Sequence, residues 1–222
     1  MGGFMKLQRL GGYAAIASMC VYTVIIVIWS LGLSRYPEIN EPIKAMTVIP
    51  AIQGGLYTFC LLYVVCGLLS LILALALHER MQSKAPYLTR LLLIAVATSI
   101  VMQMASSVIW IRQGVEIAQA QDISALRALM AITDSLHSTA AHLLAWFYLL
   151  SGCAIIRTRA LSRVLGWWLF VAGILWLPSF AVSQLDGTVL LICVGIVWTG
   201  IALLRGKQPQ PVSGEMTAAS QT

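Results

Sequence analysis

The side chains able to bind a metal, carry a proton or attack a substrate are few and scattered in this 222-residue chain. Five cysteines, at 20, 60, 66, 153 and 193, form none of the close pairs that zinc sites and redox motifs use. Cys60 and Cys66 stand about 240° apart round a helix and face different ways. They read as small buried or lipid-facing thiols, with no disulfide expected. Of the three histidines, His78 sits beside Glu79 and Arg80, as an interfacial residue near a helix C-terminus would. His137 and His142 are about 140° apart on a helix and do not aim two nitrogens at one metal. No other apolar stretch offers a histidine at matching depth for a haem. The expectation is no metal, no cofactor and no catalytic constellation.

Five polar residues stand out against this background. Asp134, His137 and Ser138 share one helical face through spacings of three and four, where an apolar stretch begins. One reading is a capped helix start, with Thr133 or Asp134 accepting first-turn amide hydrogens; the other is a proton- or cation-sensitive mouth, with His142 below it. The first reading is preferred. Gln103 is the most polar side chain in the middle of an apolar stretch, near Thr98, Ser99, Ser106 and Ser107. An amide at that depth is expected to face the bundle interior, either bonding a neighbouring helix or lining a path.

The elements that must position these residues follow from the charges. Charged side chains cluster and leave six charge-free stretches, at 10–34, 45–78, 91–111, 135–156, 164–185 and 187–204. A bilayer core about 30 Å thick needs roughly 20 apolar residues of helix, whose backbone satisfies its own hydrogen bonds. The stretches predict spans at about 11–33, 56–78, 89–111, 136–156, 162–183 and 187–205. The composition, 59% hydrophobic and 10% charged with a mean hydropathy of +0.88, is far from that of a soluble domain. The expected fold is all-α, a six-span transmembrane helix bundle over 1–205 followed by a disordered cytoplasmic tail over 206–222.

A net charge of +6 raises the question of nucleic acid. The basic residues divide by side of the membrane instead. With the chain starting inside, Lys6, Arg9, Arg80, Lys84, Arg90, Arg157, Arg159, Arg163, Arg205 and Lys207 are cytoplasmic, against Arg35, Lys44, Arg112 and Arg127 outside. That bias places both termini in the cytoplasm and makes the bilayer, not nucleic acid, the partner. The apolar run from Tyr13 to Leu33 is too long for a signal-peptide core and leads to no small-residue cleavage site, so it reads as a retained span.

Loop one, 34–55, carries Pro37, Pro42 and Pro50 and is expected to be extended or only briefly helical, with Ile43 to Ile49 resting on the membrane surface. Asp122 is a candidate N-cap for a separate outer-surface helix over 123–133. The third span is expected to run on through Arg112 and Glu116, which are four apart and can pair. Small residues at Gly11, Ala15, Ala141, Ala145, Gly166 and Gly173 suit close helix approach. Tyr13, Trp29, Tyr57, Tyr87, Trp110, Trp167 and Trp168 suit an interfacial belt.

The run LALALHERMQSKAPYLTRLLL, the ITDSLHSTAAHLLAWFYLL stretch leading into the fourth span and the RTRALSRVLGWWLFVAGI stretch leading into the fifth resemble an uncharacterised family of bacterial multi-span membrane proteins, of the domain of unknown function 4386 type. The likeness covers roughly 56–204. It implies a multi-pass protein of the bacterial cytoplasmic membrane and carries no activity, substrate or site residue. Three roles are open: structural, sensory or partner-binding; a small-solute transporter or channel; and an intramembrane enzyme or a haem- or quinone-binding protein. The first is preferred, because no Asp, Glu, Lys or Arg lies at mid-span. A homo-oligomer and association with another membrane protein both stay open.

Overall fold

Long apolar runs in water-free surroundings leave the backbone only its own groups to bond, and the computed structural model is helical wherever it describes long runs of chain. It describes residues 2–31, 35–36, 41–180 and 186–205. The elements are α1 (Gly2–Leu31), α2 (Pro42–Ala51), α3 (Gln53–Met81) and α4 (Pro86–Ile109), then a π-helical turn (Trp110–Gly114), α5 (Val115–Gln119) and α6 (Ile123–Thr158). They are followed by α7 (Arg163–Trp176), a 3₁₀ turn (Leu177–Phe180) and α8 (Asp186–Arg205). No strand occurs among the described residues.

Among the described residues, four helical segments are long and apolar enough to cross a membrane: Lys6–Leu31, Gln53–Met81, Pro86–Gln119 and Ile123–Thr158. Arg163–Trp176 and Leu190–Arg205 are apolar but shorter. Outward-facing positions are apolar too. Leu61, Ile94, Val101 and Val164 are each 60–64% exposed, a surface that lipid tolerates and water does not.

The packing follows chain order round a closed ring. α1 lies on α3, α3 on α4, α4 on α6, α6 on α7, α7 on α8, and α8 returns to α1. Small residues set the separations. A methyl group at Gly152 of α6 would lie 2.5 Å from the Phe170 nitrogen of α7, and one at Gly173 would lie 2.6 Å from the Leu149 nitrogen. A methyl group at Gly200 would lie 2.9 Å from the Gly12 carbonyl, which brings α8 onto α1. Gly11, Ala15, Ala145, Gly166 and Gly173 thus stand at helix contacts, as their size suggested.

Most serine and threonine hydroxyls bond back to a carbonyl one turn earlier, as Thr23, Ser151 and Thr199 do. Ser99 and Ser106 reach across instead, donating to the Ala140 carbonyl at 2.7 Å and the Thr133 carbonyl at 3.3 Å, and so tie α4 to α6. The Trp168 indole N–H donates to the Leu191 carbonyl at 2.8 Å and joins α7 to α8.

Several sequence expectations change. Asp122 is an N-cap as expected, its Oδ1 accepting from the Ser124 and Ala125 amides at 3.0 and 2.9 Å. The helix it starts does not stop at 133. It runs unbroken to Thr158, so no second helix begins at Thr133 or Asp134; Thr133 bonds back to Leu129 and Met130. Nothing between 123 and 158 interrupts the ladder, since that stretch contains no proline. The Arg112–Glu116 pair does not form among the described residues, because the π-helical turn over Trp110–Gly114 changes the spacing on which an i,i+4 pair depends.

Loop one holds α2, with Pro42 in its first turn and Pro50 near its end. Ala45 and Ile49 of α2 are buried against Leu56, Val115, Ala118 and Leu126 in a small second core, so this segment packs on protein as well as bordering the surface. The tail over 206–222 and the link over 181–185 lie outside the described residues.

Candidate functional site: a central cavity

A ring of helices leaves space on its axis unless large side chains fill it. Here a cavity of about 130 Å³ remains, lined from α1, α3, α4, α6, α7 and α8. The lining follows helical faces. Tyr63, Cys66, Gly67 and Ser70 recur at i, i+3, i+4 and i+7 on α3, and His137, Ala140, Ala141 and Leu144 do the same on α6, with Tyr148 one turn beyond. α4 contributes Ser99, Ile100 and Gln103; α1 contributes Met19 and Tyr22. Trp176, Ile192, Cys193 and Ile196 complete the wall.

Depth along the helices follows from the 1.5 Å rise. Tyr148 lies about 15 Å and His137 about 32 Å from Thr158, at the arginine-rich end of α6. On α3 the corresponding distances from Met81 are about 17 Å for Ser70 and about 27 Å for Tyr63. The cavity therefore begins near mid-depth and extends toward the end of the bundle away from Arg80, Arg157, Arg159 and Arg163.

At the basic end the bundle is closed. Leu77 and Met81 are fully buried, and Arg80 bridges three elements. Its Nε donates to the Ala160 carbonyl at 3.1 Å, in the turn between α6 and α7, and its Nη1 donates to Gln8 Oε1 of α1 at 3.2 Å.

Aromatic rings shape the cavity. Tyr148 and Trp176 stack with centroids 5.9 Å apart and planes 30° apart. Tyr63 meets His137 edge-on at 5.6 Å, which bridges α3 and α6 across the cavity's far end, and Tyr63 in turn packs on Phe59 at 4.9 Å.

Hydrogen-bond accounting separates the polar lining into two groups. The Ser70 hydroxyl already donates to the Cys66 carbonyl, the Ser99 hydroxyl to Ala140, and the Cys66 thiol to the Ser18 carbonyl at 3.8 Å. The Gln103 amide and the Tyr63 and Tyr148 hydroxyls make no hydrogen bond among the described residues. Among the described residues no Asp, Glu, Lys or Arg lines the space.

Of the five residues singled out in the sequence, the structure brings Gln103 and His137 together on this cavity and leaves the other three off it. Gln103 points inward, and it does so without bonding a neighbouring helix among the described residues. Asp134, His137 and Ser138 are all exposed on α6, and of the three only His137 borders the cavity. His142 is turned away and accepts the Trp146 indole N–H at 3.3 Å. Among the described residues no three His, Cys, Asp or Glu side chains gather as a metal set, and all five cysteines are free thiols.

Sequence reasoning missed Tyr22, Tyr63, Tyr148 and Trp176. The i, i+3, i+4, i+7 stripe of α3, which gathers an aromatic, a thiol, a glycine and a hydroxyl on one face of an otherwise aliphatic helix, is the signal that marks it. No family model, curated protein or solved structure matches the chain.

Proposed function

We propose that this chain is a six-span protein of a bacterial cytoplasmic membrane, with both termini inside, that binds a small neutral molecule in its central cavity and serves as a membrane-embedded sensor or partner-binding protein. The cavity itself carries this reading. Concave, largely apolar spaces with a few converging polar groups are where small ligands bind, and a space lined by no Asp, Glu, Lys or Arg among the described residues suits an uncharged one.

The span count has support from length. α7 with its 3₁₀ turn extends about 29 Å, and the 20 residues of α8 about 30 Å, each near the thickness of a bilayer core. The charge bias supports the orientation, which would open the cavity toward the outer half of the membrane. The resemblance to an uncharacterised multi-span family agrees with the location and names no ligand.

Thermal unfolding of the purified protein in detergent tests the binding reading. A panel of small neutral ring compounds should raise the melting temperature, and charged analogues of the same size should not. Ala141→Leu, which fills the cavity from α6, should abolish the response. If no compound shifts the wild type, or Ala141→Leu responds as strongly as the wild type, the cavity is not a binding site.

Transport is the second reading, favoured by one observation. The axial cavity is closed at the basic end by a polar clasp, Arg80 to Gln8 and Ala160, that a conformational change can release. Uptake into proteoliposomes that is altered by Arg80→Met would support it, and absence of any flux would leave sensing as the reading.

A further inference from the structure

The chemistry of the cavity wall narrows what it accepts. Five rings, those of Tyr22, Tyr63, His137, Tyr148 and Trp176, border a single space, so a planar ring gains edge and stacking contacts there that an aliphatic molecule of equal size does not. The hydrogens of Ser70, Ser99 and Cys66 are committed to backbone carbonyls, whereas Gln103, Tyr63 and Tyr148 have hydrogens to offer from three different helices. Donors spread over separate walls match a ligand with acceptors at more than one point of its ring. Those acceptors must be neutral, since no Lys or Arg among the described residues lines the space and an unpaired carboxylate or phosphate would lose its hydration without compensation. About 130 Å³ is close to the roughly 150 Å³ cavity that holds benzene, so the ring is a single one.

Resting on the cavity being a binding site, we infer that its ligand is a monocyclic quinone ring, held by hydrogen bonds from Gln103, Tyr63 and Tyr148 to ring carbonyl oxygens and packed against the stacked Tyr148–Trp176 pair. The inference concerns binding only. The same ring reaches a membrane protein from two sources, as the headgroup of a lipid-soluble quinone or as a small free quinone.

The test uses the full chain in nanodiscs, with two readouts: melting temperature and quenching of tryptophan fluorescence, comparing wild type with Trp176→Phe. The probes are a tailless methyl-substituted benzoquinone, the same ring with a decyl tail, cyclohexanedione and benzoate. The tailless benzoquinone should raise the melting temperature and quench saturably, with the saturable part lost in Trp176→Phe. Gln103→Leu and Tyr148→Phe should each weaken binding about tenfold, as loss of one hydrogen bond does. Tighter binding of the tailed ring identifies the lipid-soluble source, and equal binding the free one.

Cyclohexanedione or benzoate binding as well as the quinone, or both variants binding it like the wild type, overturns the ligand class while leaving the cavity a binding site. No binding by any probe, together with no response to the wider panel of neutral ring compounds, overturns both.

Discussion

Gln103 shows how a single residue's role turns on its partners rather than on its polarity. An amide at mid-span is ordinarily held by a neighbouring helix, and that bond contributes roughly 0.6–1.7 kcal/mol. Ser99, one turn earlier on the same helix, makes such a bond to Ala140, while Gln103 faces the cavity and makes none among the described residues. Ser99→Ala should therefore lower stability by about 1 kcal/mol in reversible unfolding. Gln103→Leu should cost less than half as much while weakening ligand binding about tenfold. A larger loss for Gln103→Leu than for Ser99→Ala would return Gln103 to the role of packing glue. Tyr63 and Tyr148 carry the same lesson. Their positions in apolar stretches make them look like core, and only the hydroxyls' lack of bonding partners among the described residues distinguishes them.

At the scale of the helix, close approach replaces side-chain bulk as the device that joins elements. α6 and α7 meet where Gly152, Gly166 and Gly173 leave the facing backbone within van der Waals reach. Gly152→Ala would set a methyl group 2.5 Å from the Phe170 nitrogen, and separating the two helices to make room should cost about 1–3 kcal/mol. Gly54, in the first turns of α3, faces open space, so Gly54→Ala should stabilise the protein by about 0.5–1 kcal/mol through helix propensity alone. Thermal unfolding of the two variants side by side checks this; equal effects would mean that the α6–α7 contact is looser than described. Both glycines look alike in the chain, and the facing helix supplies the difference. The same holds for α6, whose length exceeds its apolar stretch. Charge marks where a span leaves the membrane, whereas the helix ends only where its hydrogen-bond ladder does, at the left-handed Arg159.

At the scale of the molecule, the proposed six spans place Asp122 and the C-terminus on opposite sides of the membrane. Reporter fusions at the two positions should give opposite signals, outside for Asp122 and inside for the C-terminus. Matching signals would require an odd change in the number of spans, with α7 or α8 the element failing to cross. The helical class, the apolar stretches, the N-cap at Asp122 and the use of small residues at helix contacts were all legible in the sequence. Each is dictated locally, by the cost of unbonded backbone in hydrocarbon, by the transfer cost of charge, or by a side chain's reach to its own helix end. The cavity was not. Its wall takes one or a few residues from each of six helices, and whether Tyr63 meets His137 or Tyr148 meets Trp176 depends on how far each helix is rotated and shifted against its neighbours. Those degrees of freedom are settled by packing between segments distant in the chain, and only the tertiary structure decides them.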